Sequence, residues 1–218
     1  MLKKISGILL SVLVIGIIYI FFSMDIGVED IINYSPENVF LAAIVMIILY
    51  GLKSLTVVIP LPLLEVESGL IFSFPIAVIV NSIGIMFCIL IPHFIGLSFG
   101  KDKMDNFVNK HPKLKIISEF NSSSSFFICY FTRLVGILPI DLLSIYFGAS
   151  GISLKSDVVG GFLGTLASMI LLTMFGKSVN NPGSLMFWIS IILNILLVLI
   201  SFVLFNLYLK KKRGCEKT

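Results

Sequence analysis

Two charged side chains lie within a long apolar stretch in the second half of the sequence. The stretch covers residues 126–153 and contains Arg133 and, eight positions later, Asp141. A charged side chain at the centre of a bilayer costs about 2.5–3.5 kcal/mol on insertion scales, so such residues usually face a bundle interior or a cavity. Arginine suits phosphate because its planar fork donates two hydrogen bonds, and an acid nearby can balance charge or carry a proton. A transport site and a structural Arg133–Asp141 pair explain these residues equally well, and both rank above snorkelling.

A second pair of acids lies in the first half. Glu65 and Glu67 follow Pro60 and Pro62 within another apolar stretch. Residues two positions apart diverge on a helix, so only one of the acids can face a shared partner. Glu65 is favoured because it lies nearer the prolines, although Glu67 stays a candidate. Lys53, which precedes this segment, is expected to reach the interface by snorkelling.

The other chemically active side chains form no recognisable catalytic or metal site. The three cysteines are far apart in sequence, and the two histidines are isolated. A packed or cavity-facing histidine is therefore the expectation for His93. The sequence has no nucleophile–base pair, phosphate-binding loop or dinucleotide fingerprint. It gives no reason to expect an enzyme or a cofactor.

The amino-acid composition indicates that the chain is a membrane protein, so these charges lie within apolar surroundings. Of 218 residues, 57% are hydrophobic and 13% are charged, and the mean hydropathy is +1.07. A soluble domain carries about 25% charged residues, so a soluble globular enzyme is excluded. Disorder is excluded as well, because it needs low hydrophobicity and high charge. The net charge of +4 comes from a few clusters, which indicate membrane orientation and no nucleic-acid partner.

Hydrophobic runs and the charges between them predict an all-α polytopic protein with about five spanning helices. The first run is interpreted as a retained helix, because no small-residue cleavage site follows it. A lysine-rich segment at 101–115 is expected to form an interfacial amphipathic helix. The predicted organisation is an N-terminal helix and acidic loop, a membrane domain, and a last helix with a basic tail: 1–38, 39–176 and 177–218. The predicted spans are residues 5–22, 39–52, 76–99, 158–176 and 185–209.

Two of the hydrophobic segments are too broken to be simple spans. Each has a basic residue, a proline six or seven positions later, then an acid and then a glycine. Broken backbone at membrane depth must be buried in protein or line a watery cavity, and paired broken segments indicate a transporter site. We therefore expect re-entrant hairpins near 55–74 and 126–150 that enter from opposite faces, as an inverted repeat requires. The residues expected to shape them are Pro60, Pro62, Gly69, Pro139, Gly148 and Gly164.

These segments resemble a known family. IPLPLLEVESGLIF, followed by Asn81-x-x-Gly84, resembles the first half of the DedA-like, SNARE-associated Golgi protein (VTT-domain) superfamily. FTRLVGILPIDLLSIYFGASGISLKSDVVGGFLGTL resembles its second half, and the likeness covers about Lys53 to Gly176. The resemblance implies opposed re-entrant hairpins and movement of phospholipids or polyprenyl-phosphate carriers between leaflets, linked to the proton-motive force.

Individual positions carry the resemblance further. Arg133 and Pro139 match the family arginine and proline, and either Glu65 or Glu67 matches the acid of the first motif. Two features depart from the usual pattern and favour the Golgi-type branch. They are a serine where the first motif has glycine after phenylalanine, and a basic–glycine pair in reversed order at the end of the third helix: Ser73 and Gly100-Lys101.

The expected function is translocation of a lipid or lipid-linked phosphate by a multi-pass protein of the cytoplasmic membrane. Membrane lipids are the expected partners, and protons are a candidate coupling ion. Two rivals stay open. One is a proton-coupled transporter of a small solute, and the other is a non-transporting membrane scaffold or assembly factor.

Lysine bias gives a test of topology. Both the lysine-rich segment and the basic C-terminal tail are expected to be cytoplasmic, whereas the side of the N-terminus is open. In a background without native cysteines, cysteines at Lys103 and Lys212 should be shielded from an impermeant thiol reagent in intact cells. A cysteine at Asn181 should react. Labelling of the cysteines at positions 103 and 212 from opposite sides of the membrane would exclude a re-entrant second hairpin.

Overall fold

A computed structural model of the protein describes residues 39–56, 59–100, 124–136 and 138–215. The chain divides into two compact units, Met1–Ala42 and Ala43–Thr218, and only residues 39–42 of the first are described. The predicted first helix, the acidic loop after it and the lysine-rich helix at 101–115 lie outside the described residues.

The described residues form helices and no strand. Three of the five predicted spans are helices long and apolar enough to cross a membrane: α3, α6 and the Leu185–Leu204 part of α7. α1 has 17 residues, which is the lower limit of about 17 for a span. The helices are α1 (Val39–Leu55), α2 (Leu61–Ile71), α3 (Phe74–Phe99), α4 (Ser125–Val135), α5 (Ile140–Ala149), α6 (Leu154–Ser178) and α7 (Leu185–Cys215).

Breaks at proline separate α1 from α2 and α4 from α5. Pro60 and Pro139 stand immediately before α2 and α5, and the backbone of Pro60 is extended. Proline suits the start of a helix because its missing N–H would have no partner there. Gly136 ends α4 in the left-handed conformation, with φ of 65°, which glycine adopts without steric cost. The order of elements is therefore the same in each half: a helix, a break, a short helix and a long helix.

The short helix of each half packs on the long helix of the other half. α2 packs on α6, and α5 packs on α3. Glycines let the backbones approach closely, because a Cβ atom at any of them would collide with a carbonyl oxygen of the partner helix. The colliding pairs are Gly69 with Thr173, Gly176 with Val66, Gly148 with His93, and Gly96 with Ile145.

These two crossings have the same geometry. Each of the four helices contributes one glycine and one carbonyl to its crossing. The glycine always lies three residues after the residue that supplies the carbonyl. Residue numbers increase along one helix of each pair where they decrease along the other, so the paired helices are antiparallel. Each long helix also contacts the first helix of its own half at a glycine. Gly84 of α3 lies against the Tyr50 ring of α1, and Gly164 of α6 lies against the Tyr130 carbonyl of α4.

Two side chains supply hydrogen bonds where the broken helices end. The hydroxyl of Ser201 on α7 donates to the Leu134 carbonyl at the end of α4, at 2.9 Å. The ammonium of Lys177 on α6 donates to the Phe72 carbonyl at the end of α2, at 3.2 Å. An unsatisfied carbonyl in hydrocarbon costs several kcal/mol, so the first bond supports the break after α4 and the second supports the end of α2.

Methyl groups added at the crossings should destabilise the fold. Gly148→Ala and Gly176→Ala place a Cβ against backbone, which cannot move as a flexible side chain can, and overpacking typically costs about 1–3 kcal/mol. Gly51→Ala is the matched control, since no atom lies within 4 Å of its Cβ position and alanine favours helix. Thermal unfolding in detergent should show lower midpoints for the first two variants and an equal or higher midpoint for the control. Equal midpoints in all three would contradict the close crossings.

Candidate functional site

A cavity lies where the two breaks face each other. Its volume is about 360 Å³, and both halves line it. Four ionisable side chains contribute to its wall: Lys53, Glu65, Arg133 and Asp141. Pro60, Pro62 and Pro139 line it as well, together with Thr165 and Ser168 of α6. The cavity thus contains Glu65 and both members of the predicted Arg133–Asp141 pair.

Helix ends bring these charges to the cavity. Lys53 lies in the last turn of α1 and Arg133 in the last turn of α4, whereas Asp141 lies in the first turn of α5. A cation at a C-terminus and an anion at an N-terminus complement the helix dipole. The breaks therefore create favourable positions for charge inside an otherwise apolar chain.

Lys53 and Asp141 form an ion pair across the cavity. The side chains are only 3% and 2% exposed, so Lys53 does not snorkel to an interface and that expectation was wrong. The ammonium contacts one carboxylate oxygen of Asp141, and the other, Oδ1, is buried without a hydrogen-bond partner among the described residues. The pair joins a residue of the first half to one of the second.

Arg133 pairs with Asp157 and does not pair with Asp141, so the predicted structural pair was wrong. Its Nη2 lies 2.6 Å from Asp157 Oδ1 and 2.7 Å from the hydroxyl of Ser144. Nη1 donates to the Cys129 carbonyl at 3.3 Å. These contacts tie α4 to α5 and α6.

The guanidinium of Arg133 also has close neighbours on its faces. A Cβ at Gly161 would lie 2.7 Å from the guanidinium carbon, so the group occupies space that only glycine leaves free. The same carbon lies 5.4 Å from the centre of the Phe147 ring, a cation–π distance. Gly161 therefore packs against a charged group.

Asp157 connects Arg133 to His93. Its second oxygen lies 2.8 Å from His93 Nδ1, and both residues are buried. A packed or cavity-facing histidine was expected, whereas Asp157 was missed because it lies one residue before the predicted span at 158–176. Its spacing to Gly161 and Gly164 places all three on one face of α6, and this spacing was the available signal.

A neutral polar cluster lies beside Glu65. The Tyr50 hydroxyl donates to the Asn81 side-chain oxygen at 2.7 Å, and Asn81 donates to the Thr173 hydroxyl at 2.8 Å and to the Glu65 carbonyl at 3.3 Å. Glu65 is 2% exposed and lines the cavity, whereas Glu67 is half-buried and does not line it. The structure thus favours Glu65 of the two acids. No group of three or more residues suited to a metal ion occurs in the described part of the chain.

Three helices long and apolar enough to span a membrane, together with two broken segments that line a charged cavity, are typical of polytopic helical membrane proteins. The VTT domain family model matches residues 59–178, which is more than half of the chain. The chain therefore belongs to the VTT-domain family of DedA and SNARE-associated Golgi proteins, as its motifs predicted. The comparison with curated proteins finds no match, and neither does the comparison with solved structures.

Substitutions that neutralise single charges can distinguish the observed ion pairs, Lys53–Asp141 and Arg133–Asp157, from an Arg133–Asp141 pair. Removing one partner of a buried pair costs about 3–5 kcal/mol, because the other charge is left uncompensated. Lys53→Gln should therefore lower the unfolding midpoint in detergent, and adding Asp141→Asn should restore much of it. Arg133→Gln should be rescued in the same way by Asp157→Asn and much less by Asp141→Asn. Rescue of Arg133→Gln by Asp141→Asn alone would contradict the observed pairing.

Proposed function

We propose that the protein translocates a phospholipid or a polyprenyl phosphate between the leaflets of the cytoplasmic membrane. The observation that carries the proposal is the cavity between the two breaks, where Lys53 and Arg133 supply positive charge within an apolar chain. A phosphate headgroup entering a low-dielectric site needs a cation to replace its water. The many exposed apolar side chains of α3 and α7 offer acyl or prenyl chains a compatible surface outside the cavity.

The architecture that suits this function is an inverted repeat with two opposed re-entrant hairpins. The proposed hairpins are the segments near 55–74 and 126–150, which contain α2 and α4–α5 respectively, and the shared glycine geometry of the α2–α6 and α5–α3 crossings supports their equivalence. Transport in such folds proceeds by rocking one repeat against the other around a fixed site. The basic C-terminal tail supports a cytoplasmic C-terminus.

The balance of buried charge supports protons as the coupling ion. Three acids, Glu65, Asp141 and Asp157, accompany the two cations Lys53 and Arg133. Electrical neutrality in a low-dielectric site then requires one more positive charge, which a proton on one of the acids supplies. A phosphate that enters adds negative charge, so its entry favours uptake of a proton. The proposal includes no covalent or catalytic step.

A proton-coupled transporter of a small solute is the second candidate. The cavity volume of about 360 Å³ lies within the range of about 300–1,000 Å³ that is typical of small-molecule sites. A non-transporting scaffold is the third possibility, and it predicts that the buried charges affect folding or partner binding but no flux.

Leaflet exchange of labelled phospholipid or polyprenyl phosphate in proteoliposomes tests the proposal. Wild-type protein should accelerate exchange, and Arg133→Lys should reduce it markedly. A lysine ammonium cannot reproduce the planar fork that holds Asp157, Ser144 and the Cys129 carbonyl together.

Lys155→Arg is the matched control, because Lys155 is exposed and lies outside the cavity wall. Detergent chromatography should confirm equal folded amounts of the three proteins. Absence of exchange by wild-type protein for both lipid classes, with and without a proton gradient, would exclude lipid translocation. The solute transporter or the scaffold would then take its place.

A further inference from the structure

The two cations of the cavity differ in how fully the protein engages them. The Arg133 guanidinium donates to a carboxylate, a hydroxyl and a carbonyl, and it lies against Gly161 and Phe147. Moving it toward a ligand would leave Asp157 without its cation, which is costly in a buried site. Arg133 is thus held as part of the cavity wall.

Lys53 is engaged much less. An ammonium has three donors, and among the described residues Asp141 is its only hydrogen-bond acceptor. The lysine stem is long and flexible, so the ammonium can rotate while keeping this contact. Both cations have donors to spare, since Arg133 Nε is buried without a hydrogen-bond partner among the described residues. Lys53 differs because a single contact holds it on a flexible stem, so its ammonium can turn to an oxygen that enters the cavity while Arg133 is fixed by its three contacts.

Sequence position explains why two corresponding residues behave differently. Lys53 and Arg133 are 80 positions apart, as are Tyr50 and Tyr130 and the N-cap residues Ser73 and Ser153. The same interval relates Asn81 to Gly161. In the second half, Gly161 leaves the space that the Arg133 guanidinium occupies.

In the first half, the amide of Asn81 stands at the corresponding place. It is already hydrogen bonded to Tyr50 and Thr173. Lys53 pairs instead with Asp141 of the other half.

We infer that Lys53 is the residue that binds the phosphate of the lipid headgroup, and that Arg133 is a positioning residue that fixes the cavity wall. The inference rests on the proposed lipid function. Asp141 is then the counter-ion that competes with the phosphate for Lys53. Competition of this kind weakens binding, which a carrier needs so that its ligand can leave.

Binding by the full chain in detergent tests the assignment, with dihexanoyl phosphatidic acid as the probe in isothermal titration. Asp141→Asn should bind the probe at least tenfold more tightly than wild type, because the competing carboxylate is gone; tenfold corresponds to about 1.4 kcal/mol. A purely structural role for the pair predicts no gain. Lys53→Gln with Asp141→Asn keeps the pair neutral and should bind at least tenfold more weakly than wild type.

Two further variants complete the comparison. Arg133→Gln with Asp157→Asn, also a neutral replacement, should lose less affinity than the Lys53 double variant. Lys155→Gln, outside the cavity, should bind as wild type does. Thermal unfolding of each protein should show that the compared variants are folded.

The outcomes separate this inference from the proposed function. Wild-type affinity in the Lys53 double variant, or no measurable binding by wild type, would overturn the role of Lys53. Exchange of lipid by wild type together with unchanged binding by that double variant would leave translocation standing without it. The expected binding pattern without any lipid exchange would support Lys53 and exclude translocation. Equal affinity for inorganic phosphate would support Lys53 and assign the ligand to free phosphate.

Discussion

Buried charge must be neutralised where water is scarce, and the placement of four side chains follows from that requirement. Lys53 faces Asp141, and Arg133 faces Asp157, with every one of these side chains almost fully buried. The first pair joins the end of α1 to the start of α5, and the second joins α4 to α6. The helices that carry the charges can approach one another because glycines remove the side chains between their backbones. Charge pairing and close backbone packing therefore depend on each other in this fold.

Hydropathy and proline were sufficient to predict much of the fold. Three long spans follow from runs of apolar residues. Both breaks follow from Pro60 and Pro139, since proline in a helix interior removes a hydrogen bond and clashes with the preceding turn. The membership of the cavity wall was also predictable in part, because a charge in an apolar stretch has few stable alternatives to a polar interior. Glu65, Arg133 and Asp141 satisfy that rule.

Partners could not be predicted in the same way. Lys53 and Asp141 are 88 positions apart, and nothing local links them. Proximity in sequence favoured Arg133 with Asp141, whereas the packing of α4 on α6 brings Arg133 to Asp157. Lys53 was misassigned because a lysine near a helix end usually extends its ammonium to water. Only the packing of the second half shows that Lys53 is buried against Asp141. Which charged residues pair depends on tertiary packing, and a single sequence contains little information about that packing.

The hydrogen bond from Ser201 to the Leu134 carbonyl has a consequence for biosynthesis. α4 leaves the ribosome well before α7, so this carbonyl has to wait for its donor while the chain is being inserted. Until α7 arrives, water or the insertion machinery must satisfy the group, because hydrocarbon offers no donor. This hydrogen bond at the end of α4 is therefore completed only after the last helix has been synthesised.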